Sequence, residues 1–528
     1  MSTAEAIDAK ALRAAFDDGG ELAVIDVREE GVFGQRHILR CNNIPLSILE
    51  LSIRDQVPRL GTRIVLVDAA EGLAQRAAAT LSAMGYNDLS ILTGGIDGWD
   101  AAGFELFSGM NVPSKVFGEY VEHHCGTPNI SAEELKGKID SGENLVILDS
   151  RPMDEYHRMN IPGGIDSPGA ELAYHVRDLA PDPDTLVVVN CAGRTRSIIG
   201  AQSLINAGTP NKVMALTNGT MGWHLAGFEL EHGASRKYDS VSDSALDWSQ
   251  AAAAQVAEKY GVKKIDVATL TAWQGETDDR TLYLFDVRSP EEYEAGHVAG
   301  ARHAAGGQLV QATDKYVATN HARVVLIDDT GVRATMTAHW LIQMGWTDVH
   351  VLDGGLESLP LVTGAETSDV PEVDAASVAT VGPAALSDGA VVIDVADSLA
   401  YRDGHIAGAW WAIRARFEDA LTRLPAAEAY VVTSDDGRLA RLAAQDLAAL
   451  TDAAVYALEG GTAAWRAAGK AIEEGYTNLA ADREDIFYKP YDREGTVEDA
   501  MNQYLDWEIE LINQIKRDGT LIFPEFAP

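Results

Sequence analysis

One pattern recurs four times along the 528 residues, and it constrains the fold more than any other feature. Each copy reads as an apolar strand ending in Asp, a Gly-His-type turn, a second apolar strand, a helical stretch and a Gly-Gly or Asn-Gly pair. A self-similar chain of this kind stacks one supersecondary unit several times, which argues against a single large core. The first strands are Leu22–Asp26, Leu145–Asp149, Leu282–Asp286 and Val391–Asp394. Eleven residues after each Asp stands His37, Asn160, His297 or His405. The second strands, 64–67, 186–189, 324–327 and 430–432, are continuous apolar runs, as expected of strands buried on both faces of a parallel sheet. Each copy closes on Gly94-Gly95, Asn218-Gly219, Gly354-Gly355 or Gly460-Gly461. Three of the four then carry Trp and Gly, as Trp99/Gly103, Trp223/Gly227 and Trp465/Gly469.

Strands alternating with helices predict an α/β fold of four tandem domains, each a parallel sheet with helices on both faces. The repeat sets the domains at 1–108, 127–232, 262–364 and 376–475, with a tail over 476–528. Between them run linkers at 109–126 and 233–260, the second with a helical stretch over 251–259, and an acidic segment at 365–375 containing Glu366, Asp369, Glu372 and Asp374. In the tail, Thr496-Val-Glu-Asp499 reads as a helix capping box. Val497, Met501, Tyr504, Leu505, Leu511, Ile512 and Ile515 share one helical face there. That stripe packs back on its own chain, with a homodimer contact as the alternative.

Charge and cysteine content narrow the function. With 42 basic and 80 acidic residues the chain carries a net −38, which repels phosphate backbones and argues against nucleic acid. An anionic substrate needs a local basic pocket. No apolar run approaches the ~18 residues of a membrane span. The N-terminus shows no basic region followed by an apolar core, so a cytoplasmic location is expected. The three cysteines, Cys41, Cys125 and Cys191, are too few for a disulfide scaffold and fit a reducing compartment. None has zinc-like spacing; His123-His124-Cys125 reads as a surface or linker tripeptide, and no metal or cofactor is expected.

In α/β sheets, ligands sit at the carboxyl ends of strands, which places the chemistry at Cys191. The segment Cys191-Ala192-Gly193-Arg194-Thr195-Arg196 follows a buried strand and precedes a helix. Such a loop turns successive N–H groups inward as an anion nest, and the helix N-terminus adds partial positive charge. Arg194 and Arg196 add two full charges. These groups favour a thiolate over a thiol at Cys191 and then hold an anionic product on it. Gly193 permits the tight turn. The competing reading is a buried structural cysteine.

Asp149-Ser-Arg151, the Gly-His-Ile-Ala-Gly-type turn, the Cys191–Arg196 loop and the Gly-Gly…Trp…Gly close together resemble the rhodanese family in a four-domain tandem form. The resemblance covers nearly the whole chain apart from linkers and tail. It implies a doubly wound domain that carries sulfur as a cysteine persulfide. The Cys-x4-Arg loop is similar to that of sulfurtransferases, whereas phosphatases of the fold and tyrosine phosphatases use Cys-x5-Arg. The mercaptopyruvate branch usually has an uncharged loop; two arginines suit a dianion such as thiosulfate. The expected reaction moves sulfane sulfur from a small anionic donor, thiosulfate, to cyanide or a thiol. A persulfide carrier that docks a delivery partner is the alternative. Asp149 and Arg151 are expected to support the loop, and Asn160 departs from the family's His at a structural position. In the other copies the Cys191 position falls on Asp68, Asp328 and either Ser434 or Asp435, so those domains lack the nucleophile. Arg333 stands opposite Arg196, and Arg438 lies near the corresponding place. The activity is expected in 127–232, with the first domain supplying walls. Cys41 is expected to be buried, and Cys125 to be a linker cysteine, with resolving the persulfide as a disulfide or relaying sulfur as the alternatives.

Overall fold

The computed structural model describes residues 4–366, 378–386 and 389–526. Each repeat builds its own sheet. In the second, Asn129–Ile130, Val213–Leu216, Leu186–Asn190, Leu145–Asp149 and Ile165–Asp166 lie side by side in that order, all parallel. The third and fourth sheets repeat this order. In the first, Leu22–Asp26 and Ile64–Val67 are buried at every residue, as their unbroken apolar runs require. A short strand of the third repeat, Thr319–Asn320, adds to the first sheet in antiparallel register against Leu22 and Ala23 and ties the two repeats together.

The recurring residues hold equivalent positions. His37, His297 and His405 place Nδ1 at 3.1, 2.8 and 2.7 Å from the carbonyls of Phe33, Tyr293 and Tyr401. Asn160 donates its Nδ2 to Tyr156 O at 3.1 Å, so the amide replaces the imidazole with the local contact intact. Trp99, Trp223 and Trp465 each donate Nε1 at 2.9 Å to the carbonyl six residues on. The third repeat has no such Trp, and a short 3-10 turn at Gly355–Ser358 stands where the others have a helix.

The connections are more regular than their composition suggests. The segment expected as a linker at 109–126 contains a helix, Val112–Cys125, and the Ala-rich stretch belongs to a longer helix, Asp243–Tyr260. In the acidic segment Glu366 pairs with Arg302; Asp369, Glu372 and Asp374 fall outside the described residues. The tail forms the helix Val497–Asp518. Its Leu511 and Ile515 pack with Leu39, Phe107, Val112 and Val116, and its Met501 and Leu505 pack on Met221. The apolar stripe is therefore used within the chain. The expected capping box is not formed: Thr496 Oγ1 bonds the Asp499 carboxylate, and no side chain caps a backbone N–H there.

The repeats pair face to face. The second meets the third at Gly169 and Gly307, where an added Cβ on either would stand 2.9 Å from the other's Cα. Arg333 reaches Glu171 across the same face at 3.0 Å. The first meets the fourth through Arg414, which bonds Glu50 and the Ser47 carbonyl, and through Ala415 N to Ser47 Oγ at 3.1 Å. Among the described residues no helix is long and apolar enough to cross a membrane.

Candidate active site

Cys191 follows Leu186–Asn190 directly and precedes the helix Thr195–Asn206. Its backbone fixes the register of all four repeats. Gly219, at φ +54°, lies so near that a Cβ would stand 2.2 Å from Cys191 O, and Thr220 N donates to that oxygen at 2.8 Å. Gly95 stands in the same relation to Asp68 O, Gly355 to Asp328 O and Gly461 to Ser434 O. The fourth equivalent is therefore Ser434 rather than Asp435. The replacements cap their own loops. Asp68 accepts from Ala70, Gly72 and Ala74 N, Asp328 from Gly331 and Arg333 N, and Ser434 from Ala440 N.

The first helical bond of Thr195–Asn206 runs from Ile198 N to Arg194 O at 3.1 Å, so the loop's preceding N–H groups lie ahead of the helical ladder. Ser197 Oγ donates to Cys191 Sγ at 3.1 Å. Both residues are buried. Below the loop, Arg151 forks onto Asp149 at 2.8 and 2.7 Å and reaches Met159 O, and Asn190 Nδ2 donates to the same carboxylate at 3.0 Å. Asp26–Arg28 and Asp286–Arg288 repeat this unit. The fourth repeat has Ala396 in place of the arginine; its Asp394 accepts from Ala396 N, and burial pushes the carboxyl up to about 7.

The two loop arginines are not two free charges, which corrects the sequence reading. Arg194 forks onto Glu119 and also bonds Glu122, both on the connecting helix Val112–Cys125, and it touches Asn218. Arg196 forks onto Glu155 at 3.0 and 2.8 Å and bonds Gln308 of the third repeat at 3.0 Å. Burial would raise Glu155, but Arg196 outweighs it and holds the carboxyl at about 2. The third repeat keeps the same pair, Arg333 with Glu292.

A cavity of about 250 Å³ opens beside the loop, bordered by Ala192 and Arg196. The first repeat lends it Glu30 and the connecting helix Lys115. The third repeat gives Gln308 and Gln311, and the tail gives Lys489 and Tyr504. The first domain is thus one wall among several. Lys115, buried, bonds Tyr504 OH and pairs with Glu508 at 2.8 Å, and these partners hold its ammonium above the usual lysine range despite burial. Glu508 Oε2 would stand 3.1 Å from a Cβ on Gly193, so the tail helix closes the outer side of the loop.

The sequence assigns no role at the site to Ser197, Glu119, Glu155, Gln308, Lys115 or the tail residues, although Ser197 ends the loop and Tyr504 lies on the tail's apolar face. Of these only Ser197, next to the loop, and Glu155, shared with Glu292 at the same offset from the strand Asp, carry a local signal. Cys41 is buried, with burial raising its thiol far above the usual range. Cys125 ends the connecting helix half-buried, and burial raises its thiol too. His124 Nε2 lies 2.8 Å from Phe526 O. Among the described residues no cluster of His, Cys, Asp or Glu is arranged for a metal ion.

Comparison with known proteins agrees with this architecture. A crystal structure of a thiosulfate sulfurtransferase from Pseudomonas aeruginosa superposes with a TM-score of 0.95 at 48% identity, covering 99% of this chain and 100% of that one. Thiosulfate sulfurtransferase GlpE of Pseudomonas paraeruginosa is 35% identical over 86 residues, 16% of this chain and 76% of its own length. YrkF of Bacillus subtilis is 31% identical over 102 residues, 19% of this chain, and the match spans 54% of that protein, about half its length. The Rhodanese-like domain matches four times, over residues 8–102, 131–226, 266–359 and 383–468. A parallel α/β unit repeated four times, with the strand-end loop in the same register each time, therefore places this chain in the rhodanese family.

Proposed function

We propose that the protein is a sulfurtransferase that moves sulfane sulfur from thiosulfate to cyanide or a thiol through a persulfide on Cys191. One observation carries the reading: of four equivalent strand-end positions, held by Asp68, Cys191, Asp328 and Ser434, a single one offers a nucleophile that can carry sulfur. The Cys191 thiolate attacks the outer sulfur of thiosulfate. The S–S bond of the donor breaks, and sulfite leaves with the electron pair. The acceptor then attacks the outer sulfur of the persulfide, and the Cys191 thiolate is released. Ser197 donates to Sγ, and the loop N–H groups ahead of the helical ladder are placed to receive an anion held in the loop. Arg196 faces the cavity with Lys115 and Lys489, and these cations suit an anionic donor. Ala192, Gly193 and Thr195 shape the loop. Asp149 and Arg151 hold the strand end from below as positioning residues. The similarity over its full length to a Pseudomonas aeruginosa thiosulfate sulfurtransferase supports the same donor.

The test is Cys191→Ser assayed for thiosulfate-to-cyanide transfer. Complete loss with an unchanged unfolding profile supports the reading. Retained activity would refute it. Delivery of sulfur to a docked protein partner is the second reading. Persulfide formation at Cys191 without turnover on cyanide or small thiols would favour it.

A further inference from the structure

A second cavity, about 330 Å³, lies between the first and fourth repeats and shares Glu30, Met110 and Lys315 as a border with the cavity beside Cys191. It touches the segment of the fourth repeat equivalent to the catalytic loop of the second at Leu439. There, however, the chemistry is inverted. Leu439 stands five residues after Ser434, where Arg196 stands five after Cys191; Ala396 stands two after Asp394, where Arg151 stands two after Asp149. Both arginine positions have been lost, and both replacements line the cavity.

What remains is apolar and acidic. Phe33, Trp411 and Ile413 form an apolar wall. Glu29, Asp314, Asp397 and Asp485 also line it. Its cations are already matched: Arg414 by Glu50 and Asp446, and Lys315 by Glu30. Glu29 is 4% exposed, and Ser47 donates to its Oε1 at 2.5 Å. Asp485 Oδ2 accepts from Ser398 N, but its buried Oδ1 has no partner, nor has the buried Oε1 of Gln56 on the same wall. Burial raises Glu29 to about 7 and Asp314 to about 6, with Asp485 adding to the rise at Glu29 and Lys315 opposing it at Asp314. Unpaired buried acceptors are costly until a donor arrives.

We propose that this cavity receives the sulfur acceptor, and that the acceptor is a thiol bearing an organic ammonium on an apolar, ring-sized body; this rests on the Cys191 sulfurtransferase reading above. The ammonium faces Glu29 and Asp485, the body lies against Trp411 and Phe33, and the thiol extends past Glu30 and Met110 to the catalytic loop. The acceptor thiol gives its proton to solvent. Its thiolate attacks the outer sulfur of the Cys191 persulfide, the S–S bond breaks, the electron pair returns to Cys191 Sγ, and the acceptor departs as its own persulfide. Donor and acceptor thus enter by separate, adjoining cavities.

Two measurements on the full chain test this. Calorimetric titration with benzylamine, benzyl alcohol and benzoate reads the cavity without involving Cys191. Benzylamine is expected to bind about tenfold more tightly than the alcohol, with benzoate weakest, and Glu29→Gln and Asp485→Asn are each expected to weaken benzylamine about fivefold or more. The second measurement loads Cys191 with sulfur and follows transfer to 4-mercaptobenzylamine, 4-mercaptobenzyl alcohol and 4-mercaptobenzoate. The cationic thiol is expected to lead in kcat/KM by about tenfold, with benzylamine competing. Equal binding of the three benzyl probes, or benzylamine binding untouched in both variants, overturns the cation site. Sulfur loading on Cys191 followed by transfer with no cation preference overturns the acceptor role alone. Failure of Cys191 to take up sulfur overturns the parent reading and the acceptor role together.

Discussion

Arg194→Ala and Arg196→Ala remove the same charge from the same loop, yet the structure predicts different failures. Arg194 is 11% exposed and holds Glu119, 1% exposed, with Glu122 beside it. Removing the arginine leaves Glu119 buried without its cation. Breaking one side of a buried pair costs about 3–5 kcal/mol. Partial exposure of Arg194 and Glu122 puts the expectation near the lower end, about 3 kcal/mol. Burial already raises the Glu119 carboxyl with Arg194 in place, so the variant relieves itself by protonating Glu119. Arg196 holds Glu155 in a comparable pair, so its loss also loosens the loop, but it borders the donor cavity as well, and there its loss removes a charge-assisted contact of about 1.5–3 kcal/mol, or about 10- to 100-fold in kcat/KM for thiosulfate. The assay pairs hydrogen exchange over 112–125 and 195–206, which reports local opening in a chain too large for a two-state analysis, with thiosulfate kinetics. Arg194→Ala should loosen both segments, and Arg194→Ala/Glu119→Gln should recover at least half of the loss. Arg196→Ala should lose about tenfold more thiosulfate kcat/KM than Arg194→Ala. Native protection in Arg194→Ala together with the larger kinetic loss would refute this division of roles.

Ser197→Ala removes the hydroxyl at Cys191 Sγ and should slow single-turnover sulfur uptake about 10- to 100-fold, as measured by quenched mass spectrometry; an unchanged rate would remove Ser197 from the site. Asp394 loses its proton near 3.8 when unfolded but near 7 when folded, so the folded state holds the extra proton between those values and stability falls as pH rises through them. Asp394→Asn should therefore leave native-state hydrogen exchange of the strand Val391–Asp394 unchanged near pH 3.5 and protect it at pH 8, by on the order of 4 kcal/mol at most; lower protection in the variant at pH 8 would contradict the assignment. A chain ending at residue 232 lacks Gln308, Lys489 and Tyr504, and so should accept sulfur on Cys191 with kcat/KM for thiosulfate lowered by tenfold or about that; full efficiency would show that the third repeat and tail are dispensable walls.

The strands were legible because parallel sheets buried on both faces write themselves as unbroken apolar runs closing on Asp, and those runs match the observed elements closely. The Cys191 loop was legible because its register is local: a strand, a turn and a helix N-terminus within a dozen residues. Asn160 could be read as structural because its contact lies four residues away. The partners of the arginines were not legible. Glu119 and Gln308 lie on other elements, and nothing local distinguishes them from the many surface acids and amides of so acidic a chain. The tail helix was readable as amphipathic, but its place over Gly193 depends on Glu508 meeting Lys115, a pairing set only by the packed molecule. Thr496 has the residue types of a capping box; its hydroxyl finds the Asp499 carboxylate instead, a choice that spacing does not decide.

The central claim is that one cysteine of three carries the sulfur. Brief exposure of the full chain to thiosulfate, then intact and peptide mass spectrometry, tests it directly. A single adduct of roughly 32 Da, one sulfur atom, is expected on the peptide containing Cys191, with Cys41 and Cys125 unmodified. An adduct on Cys41 or Cys125 with Cys191 unmodified would contradict it.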